Sequence, residues 1–309
     1  TYPRAVDRVR YVGEPIAAVA ACDRATAEDA VELIRAEYER LPAVVDPERA
    51  LAPEAPVLFD EMGSNVLWHD TLTYGDVDGA FTAARTVVRE RFTIHRYVST
   101  ALETFGVIAH VEPGTGLVTI WSNDQRPGLT SGVVAAALGV PQNRLRLLAL
   151  DIGGGFGNKR KAPYLIVAAL LARATGRPVK YVEDRRENLL ALAHAANGVM
   201  EAALALDGDG RFLAIALRDV VDEGCNLQNP TLHSLLKLGN IVNCYRIGAV
   251  RFEAYSVLTN KCPSGANRGI GKPAMCFAIE RLVDLAARRL GRDPAELRFA
   301  NLVQPSEFP

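Results

Sequence analysis

Four glycines in five positions, Gly153, Gly154, Gly155 and Gly157 around Phe156, interrupt the chain within "LRLLALDIGGGFGNKRKAPY", residues 145–164. Glycine loses more backbone freedom on folding than any other residue, so such a cluster persists where the chain bends sharply or something approaches its backbone closely. The cluster lies between "RLRLLALDI", which reads as a strand, and "APYLIVAALLARATG", which reads as a helix stopped at Gly176. A glycine turn leading into a helix presents backbone N–H groups to a ligand and suits an anion or another acceptor-rich group. Two familiar versions fail on spacing. Counted from Gly153, a G-x-G-x-x-G fingerprint meets Asn158 where its last glycine should stand. A phosphate-binding loop needs Gly-Lys followed by Ser or Thr, whereas "GIGKPA" continues with proline and "GFGNKR" has no such pair. A tight packed turn is the plain alternative. Against it stands Phe156, a bulky ring that is positioned among glycines rather than merely tolerated there.

The rest of the chain reads as α+β. "EPIAAVAA" suggests a strand, "RATAEDAVELIRAEYE" an amphipathic helix capped at Thr26, and "LPAVVDPERAL" a return to extended chain. A Pro-, Glu- and Gly-rich loop over residues 46–66 then separates a first domain, 1–55, from a second, 66–309. In the second, "TVVRERFTIHRYV" alternates as a strand, and "GVIAHVEPGTGLVTIWSND" and "MEAALALDGDGRFLAIALRDVVDEG" read as hairpins. "GLTSGVVAAALGV", "PAMCFAIERLVDLAARRLG" and "DPAELRFANLV" read as helices. With 35 basic against 36 acidic residues, there is no electrostatic reason to expect nucleic acid. No apolar run approaches the ~20 residues of a membrane span, and the N-terminus lacks a secretory pattern. The five cysteines form no CxxC pair, which argues against an iron–sulfur cluster or structural zinc and for buried, reduced thiols in a cytoplasmic protein. The five histidines, with Asp222 and Glu223, show no metal-ligand spacing.

"GGGFGNK" resembles the first cofactor-binding signature of the molybdenum-binding large subunits of the xanthine oxidase family, which includes xanthine dehydrogenases, aldehyde oxidases and carbon monoxide dehydrogenase-like proteins. Further stretches agree in order: "VRYVGEPIAAVAA" with "YERLPAVVD", "LVTIWSNDQ", "LGVPQNRLRL", "ATGRPVKYVEDRREN" and "ANRGIGKPAMCFAIERLVDLAARRLGRDPAELRFANLV". The resemblance implies a partial α/β-hammerhead domain followed by a molybdenum-cofactor-binding domain with mixed sheets. It implies an oxidoreductase that hydroxylates an aldehyde or N-heterocycle with water-derived oxygen. Its cofactor would be molybdopterin, a molybdenum pyranopterin, either as such or as the cytosine dinucleotide. The metal would be held by the pterin dithiolene and by no side chain of the protein.

By the same resemblance, Gln125 matches the glutamine whose amide approaches a molybdenum oxygen. Gly154, Gly155, Phe156 and Gly157 match the loop beside the metal, and Arg268 and Gly269 match a second cofactor-contacting block. Glu103 aligns with a glutamate that precedes the cofactor strands and reads as structural. Electrons would leave through iron–sulfur clusters to FAD, on partner subunits. Departures are informative. Arg160 stands where xanthine-type enzymes carry a glutamate after the loop lysine, which disfavours purine recognition of that kind. Gly269 stands where copper-containing carbon monoxide dehydrogenases carry a cysteine, so a copper centre is not expected. The family's general-base glutamate lies in a later block, so no catalytic residue is expected here. The resemblance therefore implies a partner chain carrying the C-terminal half, and leaves open a non-catalytic scaffold or split-subunit half.

Overall fold

The computed structural model describes residues 5–225 and 232–307. In chain order the elements begin with α1 (Arg24–Glu32), β1 (Val66–Tyr74), α2 (Val77–Ala83), β2 (Thr86–Ile94), β3 (Gly106–Val111) and β4 (Val118–Ser122). There follow α3 (Pro127–Leu138), β5 (Leu145–Leu148), α4 (Ala162–Thr175), β6 (Val179–Val182) and α5 (Arg185–Ala191). The chain then forms β7 (Asn197–Leu206), β8 (Phe212–Asp222), α6 (Leu232–Leu238), β9 (Ala249–Val257), α7 (Lys272–Leu290) and α8 (Pro294–Asn301). These elements sort into two compact units, each assembled from three separate stretches of chain.

The first unit holds residues 1–42, 98–194 and 261–268. Its sheet runs β5-β4-β3-β6, with β4 and β5 parallel and the other pairs antiparallel. The β3–β4 hairpin and the pattern along it are those expected from sequence: Val107 and Ala109 are buried while Ile108 between them is exposed. The buried face receives α3 and α4. On α4, Leu165, Ile166, Ala169 and Ala172 recur at helical spacing and pack with Phe105, Val118 and Ile120. Gly176, in the left-handed conformation at φ +67°, ends that helix as its sequence position suggests.

The second unit holds residues 43–97, 195–260 and 269–309. Its sheet runs β1-β9-β8-β7-β2, again mixed, since only β8 and β9 pair in parallel. The long α7 lays Met275, Ile279, Leu282, Val283 and Ala286 against Met200, Leu204, Leu217 and Phe252. The central strand β8 is covered on both faces, with Val220 joining a second cluster that includes Val44, Leu58 and Leu258. Among the described residues no helix is long and apolar enough to cross a membrane.

Three expectations for the N-terminal stretch need correction. Residues 14–21, "EPIAAVAA", form no strand. A strand persists by pairing its N–H and C=O groups with a neighbour, and none of the described strands takes this segment as a partner. The helix stops at Glu32 rather than near Glu39, because none of its residues is buried and no packing supports further turns. Its cap is Asp23, whose Oδ1 accepts the Thr26 N–H at 2.9 Å, so Thr26 is the capped residue and not the cap.

Leu165, fully buried on α4, and Leu129, 60% exposed on α3, give a direct comparison within the first unit. Leu165→Ala is expected to cost about 2–5 kcal/mol through lost transfer energy and a residual cavity. Leu129→Ala should stay within about 0.5 kcal/mol. Denaturant unfolding of both variants checks this, and equal losses would contradict the packing described.

Candidate functional site

Beyond β5 the first unit leaves regular structure until α4 begins, and the glycine loop occupies that gap. Gly154 and Gly157 have φ of +86° and +108°, and Phe156 between them has φ +55°. A bulky residue in the left-handed region costs of order 1–3 kcal/mol and persists where its surroundings over-determine it. Burial of the ring does not offset that cost, since Phe156 is 45% exposed. Its carbonyl accepts the Arg268 N–H at 2.9 Å, which pins the strained residue to the last segment of the unit.

Three glycines of the loop are required by close approach. A Cβ on Gly155 would lie 2.3 Å from Cδ of Gln125, one on Gly157 would lie 2.3 Å from the Ala266 carbonyl oxygen, and one on Gly153 would lie 2.6 Å from Cβ of Glu103. The first gap lets Gln125 lie flat against the loop. Its own N–H donates to the Lys159 carbonyl at 2.8 Å, and its Oε1 accepts the N–H groups of Gly157 (2.9 Å) and Lys159 (3.1 Å). Two backbone donors can be met only by the amide oxygen, so the side-chain orientation is fixed by chemistry. Nε2 is then turned to the other side, where no hydrogen-bond partner stands among the described residues. The N–H groups of Gly155, a buried residue, and of Phe156 likewise have no acceptor among them.

Beside the loop lie Lys159, Lys161 and Glu183, which sequence reasoning did not assign, together with Glu103, which it read as structural. Residues 159–161 alternate: Lys159 and Lys161 are buried and Arg160 is exposed. Lys159 Nζ donates to Oε2 of Glu103, which also accepts the Gly153 N–H at 2.8 Å. Partial burial works to raise the Glu103 pKa, but Lys159 and the Gly153 N–H outweigh it and hold the carboxyl below its usual range. Lys161 is ion-paired with buried Glu183, whose other oxygen accepts from Asn188 Nδ2 at 2.7 Å and the Phe105 N–H at 3.2 Å. Burial pushes Lys161 down, partly opposed by Glu183. The basic run "NKRK" was the available signal, but the alternation of inward and outward cations needs the structure.

The structure thus brings Gln125, Gly154, Gly155, Phe156, Gly157 and the Arg268 backbone together in one unit. The Arg268 side chain is exposed and has no hydrogen-bond or ion-pair partner among the described residues. Gly269, the next residue, is grouped with the second unit. Its φ is +104°, and a Cβ there would lie 2.6 Å from Cγ of Pro273, so the position has no room for a cysteine. Among the described residues, three buried groups lack a hydrogen-bond partner: Asp124 Oδ2, Asn158 Oδ1 and Asn267 Nδ2. Burial pushes Asp124 upward, its main opposition being the N–H of Arg126.

What this arrangement offers is a set of donors without acceptors: one side-chain amide and two consecutive backbone N–H groups above a glycine floor. It suits an oxygen-rich group that brings its own metal ligands. A bare cation would need side-chain ligands instead, and among the described residues no group of three or more His, Cys, Asp or Glu could hold a metal ion.

Residues 58–302 match the family model of the molybdopterin cofactor-binding domain, and residues 2–42 match the a/b hammerhead domain of aldehyde oxidase and xanthine dehydrogenase. The chain is 36% identical, over 99% of its length, to the gamma subunit of the 6-hydroxypseudooxynicotine dehydrogenase complex of Paenarthrobacter nicotinovorans, covering 38% of that protein. It is 33% identical over 98% of its length to the carbon monoxide dehydrogenase large chain of Afipia carboxidovorans, covering 40% of it. Among solved structures, quinoline 2-oxidoreductase from Pseudomonas putida 86 superposes with a TM-score of 0.94 at 39% identity, over 99% of this chain and 39% of that one. The chain therefore spans about two-fifths of the length of these relatives.

Gly155→Ala is expected to push Gln125 off the loop and destabilise the protein by about 1–3 kcal/mol through overpacking. A Cβ on Gly114, in the β3–β4 turn, would meet nothing within 4 Å, so Gly114→Ala should be neutral within about 0.5 kcal/mol. Thermal melts of the two variants check this, and equal behaviour would contradict the close packing of Gln125 on Gly155.

Proposed function

This chain belongs to the molybdopterin cofactor-binding family of xanthine oxidase-type large subunits, and we propose that its glycine loop and Gln125 hold the molybdenum pterin of a hydroxylase acting on an aldehyde or N-heterocycle. The overall conversion is R–H plus water giving R–OH, two electrons and two protons. When bound, the molybdenum pterin supplies the two-electron redox chemistry of that conversion. The chain's own residues do the placing, as proteins generally do for cofactors that carry the hard chemistry.

One observation carries this reading: Gln125 is fixed through its oxygen, which leaves Nε2 free as a donor beside the unpaired N–H groups of Gly155 and Phe156. Donors held rigidly before the reaction lose nothing to reorganisation when charge develops on an oxygen near them. In this reading Gly154, Gly155, Gly157 and the Gln125 amide line the cofactor, and the Phe156 ring walls the substrate side and excludes water. Arg268 presents its guanidinium to the acceptor-rich part of the pterin, which is either molybdopterin itself or its cytosine dinucleotide, and Gly269 continues the same block. Glu103 and Lys159 act through the loop, by holding Gly153 and the chain that donates to Gln125.

The domain division belongs to the same proposal: a hammerhead portion within residues 1–55 and the first cofactor-binding domain within 66–309, supported by the family-model matches. The relatives are large subunits of multi-subunit complexes. The proposed partners of this chain are an iron–sulfur subunit and an FAD subunit that carry the electrons away, and the proposed location is the cytoplasm. The general base is assigned to the stretch by which the relatives extend beyond the match, on whichever polypeptide supplies it. The room denied to a side chain at Gly269 favours a hydroxylase over a copper-containing carbon monoxide dehydrogenase.

Gln125→Glu tests the role of the amide. It keeps an oxygen for the Gly157 and Lys159 N–H groups and replaces the free donor with an acceptor. The expected outcome is an intact fold with molybdenum retained and turnover of the assembled enzyme lowered by roughly 100- to 1000-fold, as for loss of one preorganised donor. Unchanged turnover in a fully loaded enzyme would overturn the assignment.

A further inference from the structure

We propose that Arg126 and Arg160 form a carboxylate-recognising edge of the substrate site, so that the natural substrate is an anionic, carboxylate-bearing molecule. This rests on the reading of Gln125 and the glycine loop as the cofactor site and adds the substrate class to it.

The two arginines each follow a residue of one contact that joins their segments. The Gln125 N–H donates to the Lys159 carbonyl and Gln125 Oε1 accepts the Lys159 N–H, so positions 126 and 160 each continue one residue past this pairing. Both side chains are exposed, and neither guanidinium has a hydrogen bond or ion pair among the described residues. Each of the other cations in the stretch is neutralised: Lys159 by Glu103 and Lys161 by Glu183. Among the described residues Asp124 is the carboxylate that acts on both guanidiniums; its Oδ1 accepts the Arg126 N–H (2.8 Å) and the Thr130 hydroxyl (3.0 Å), while its Oδ2 has no hydrogen-bond partner among them.

Two guanidiniums that share the single buried carboxylate of Asp124 leave one positive charge in excess, which an anion from outside would balance. Partial desolvation first, and Arg126 next, hold the Arg160 pKa below its usual value, partly opposed by Asp124. The local backbone adds to the same field. Helix α3 starts at Pro127 and α4 at Ala162, each with no side-chain cap and no acidic residue in its first turn. A guanidinium offers paired donors that match a carboxylate. The location beside Gln125 would orient a substrate by its acid group while its reacting carbon faces the cofactor, with Phe156 against its ring.

The test uses the full native enzyme and the matched probes nicotinate and nicotinamide, which differ in the carboxylate. Calorimetric titration of the molybdenum-loaded protein is expected to show nicotinate binding about 10- to 100-fold more tightly, a preference that shrinks with added salt. Arg160→Gln should erase most of that preference, and Arg160→Glu should reverse it, with molybdenum and pterin content unchanged in both. Equal binding of the two probes, or binding of neither, would overturn the proposal. Loss of cofactor in Arg160→Gln would overturn it too, by assigning the arginine to the pterin phosphate. A native protein devoid of molybdenum pterin that still prefers nicotinate through Arg160 would instead sink the cofactor reading and leave a carboxylate site.

Discussion

The amide oxygen of Gln125 receiving two backbone N–H groups, from Gly157 and Lys159, is the contact on which the loop depends. It joins the end of β4 to the entry of α4 and closes a turn that has no ladder of its own. It also decides which atom of Gln125 stays outside. With both donors met by oxygen, the NH2 group is turned away from the loop without any contact specifying it directly. A glycine at 155 is the condition for this, since a single methyl group there would occupy the space of the amide.

Under that contact the electrostatics are arranged by burial. Lys159 and Lys161 are drawn inward and matched to Glu103 and Glu183, so the chain carrying the loop is tied down at alternate residues. Ion pairs of this kind are weak evidence for net stability, because desolvation offsets much of the attraction. They do fix direction. Once 159 and 161 point inward, the extended backbone sends Arg160 outward, beside Arg126. Ion-paired lysines beneath, and two outer arginines that share the one carboxylate of Asp124, leave a positive edge on a chain whose net charge is only −1.

Much of this was legible in the sequence, for physical reasons that vary by element. The β3–β4 and β7–β8 hairpins and helix α7 carry periodic patterns and turn residues that leave little choice, while α3 and α4 are long apolar runs that end at Gly139 and Gly176. The glycine loop was legible because clustered glycines and a ring have few other uses. The supposed strand "EPIAAVAA" failed because a short apolar run does not say whether a partner strand exists. Helices α2, α5 and α6, of seven residues each, are too short for periodicity to register. Within the site, the type of residue at Gln125 was legible and its orientation was not, since that depends on donors 32 and 34 positions away. The buried pairing of Lys159 and Lys161 was equally hidden, because "NKRK" reads on its own as a solvated basic run.

The central claim is that the free donors around Gln125 receive the oxygens of a molybdenum pterin. An experimental structure of the native, molybdenum-loaded protein measures this most directly. The expected result is Nε2 of Gln125 and the N–H groups of Gly155 and Phe156 lying about 2.7–3.2 Å from oxygen atoms of the bound group, with Gln125 Oε1 still on Gly157. A pterin bound elsewhere, with only solvent at these donors, would contradict it.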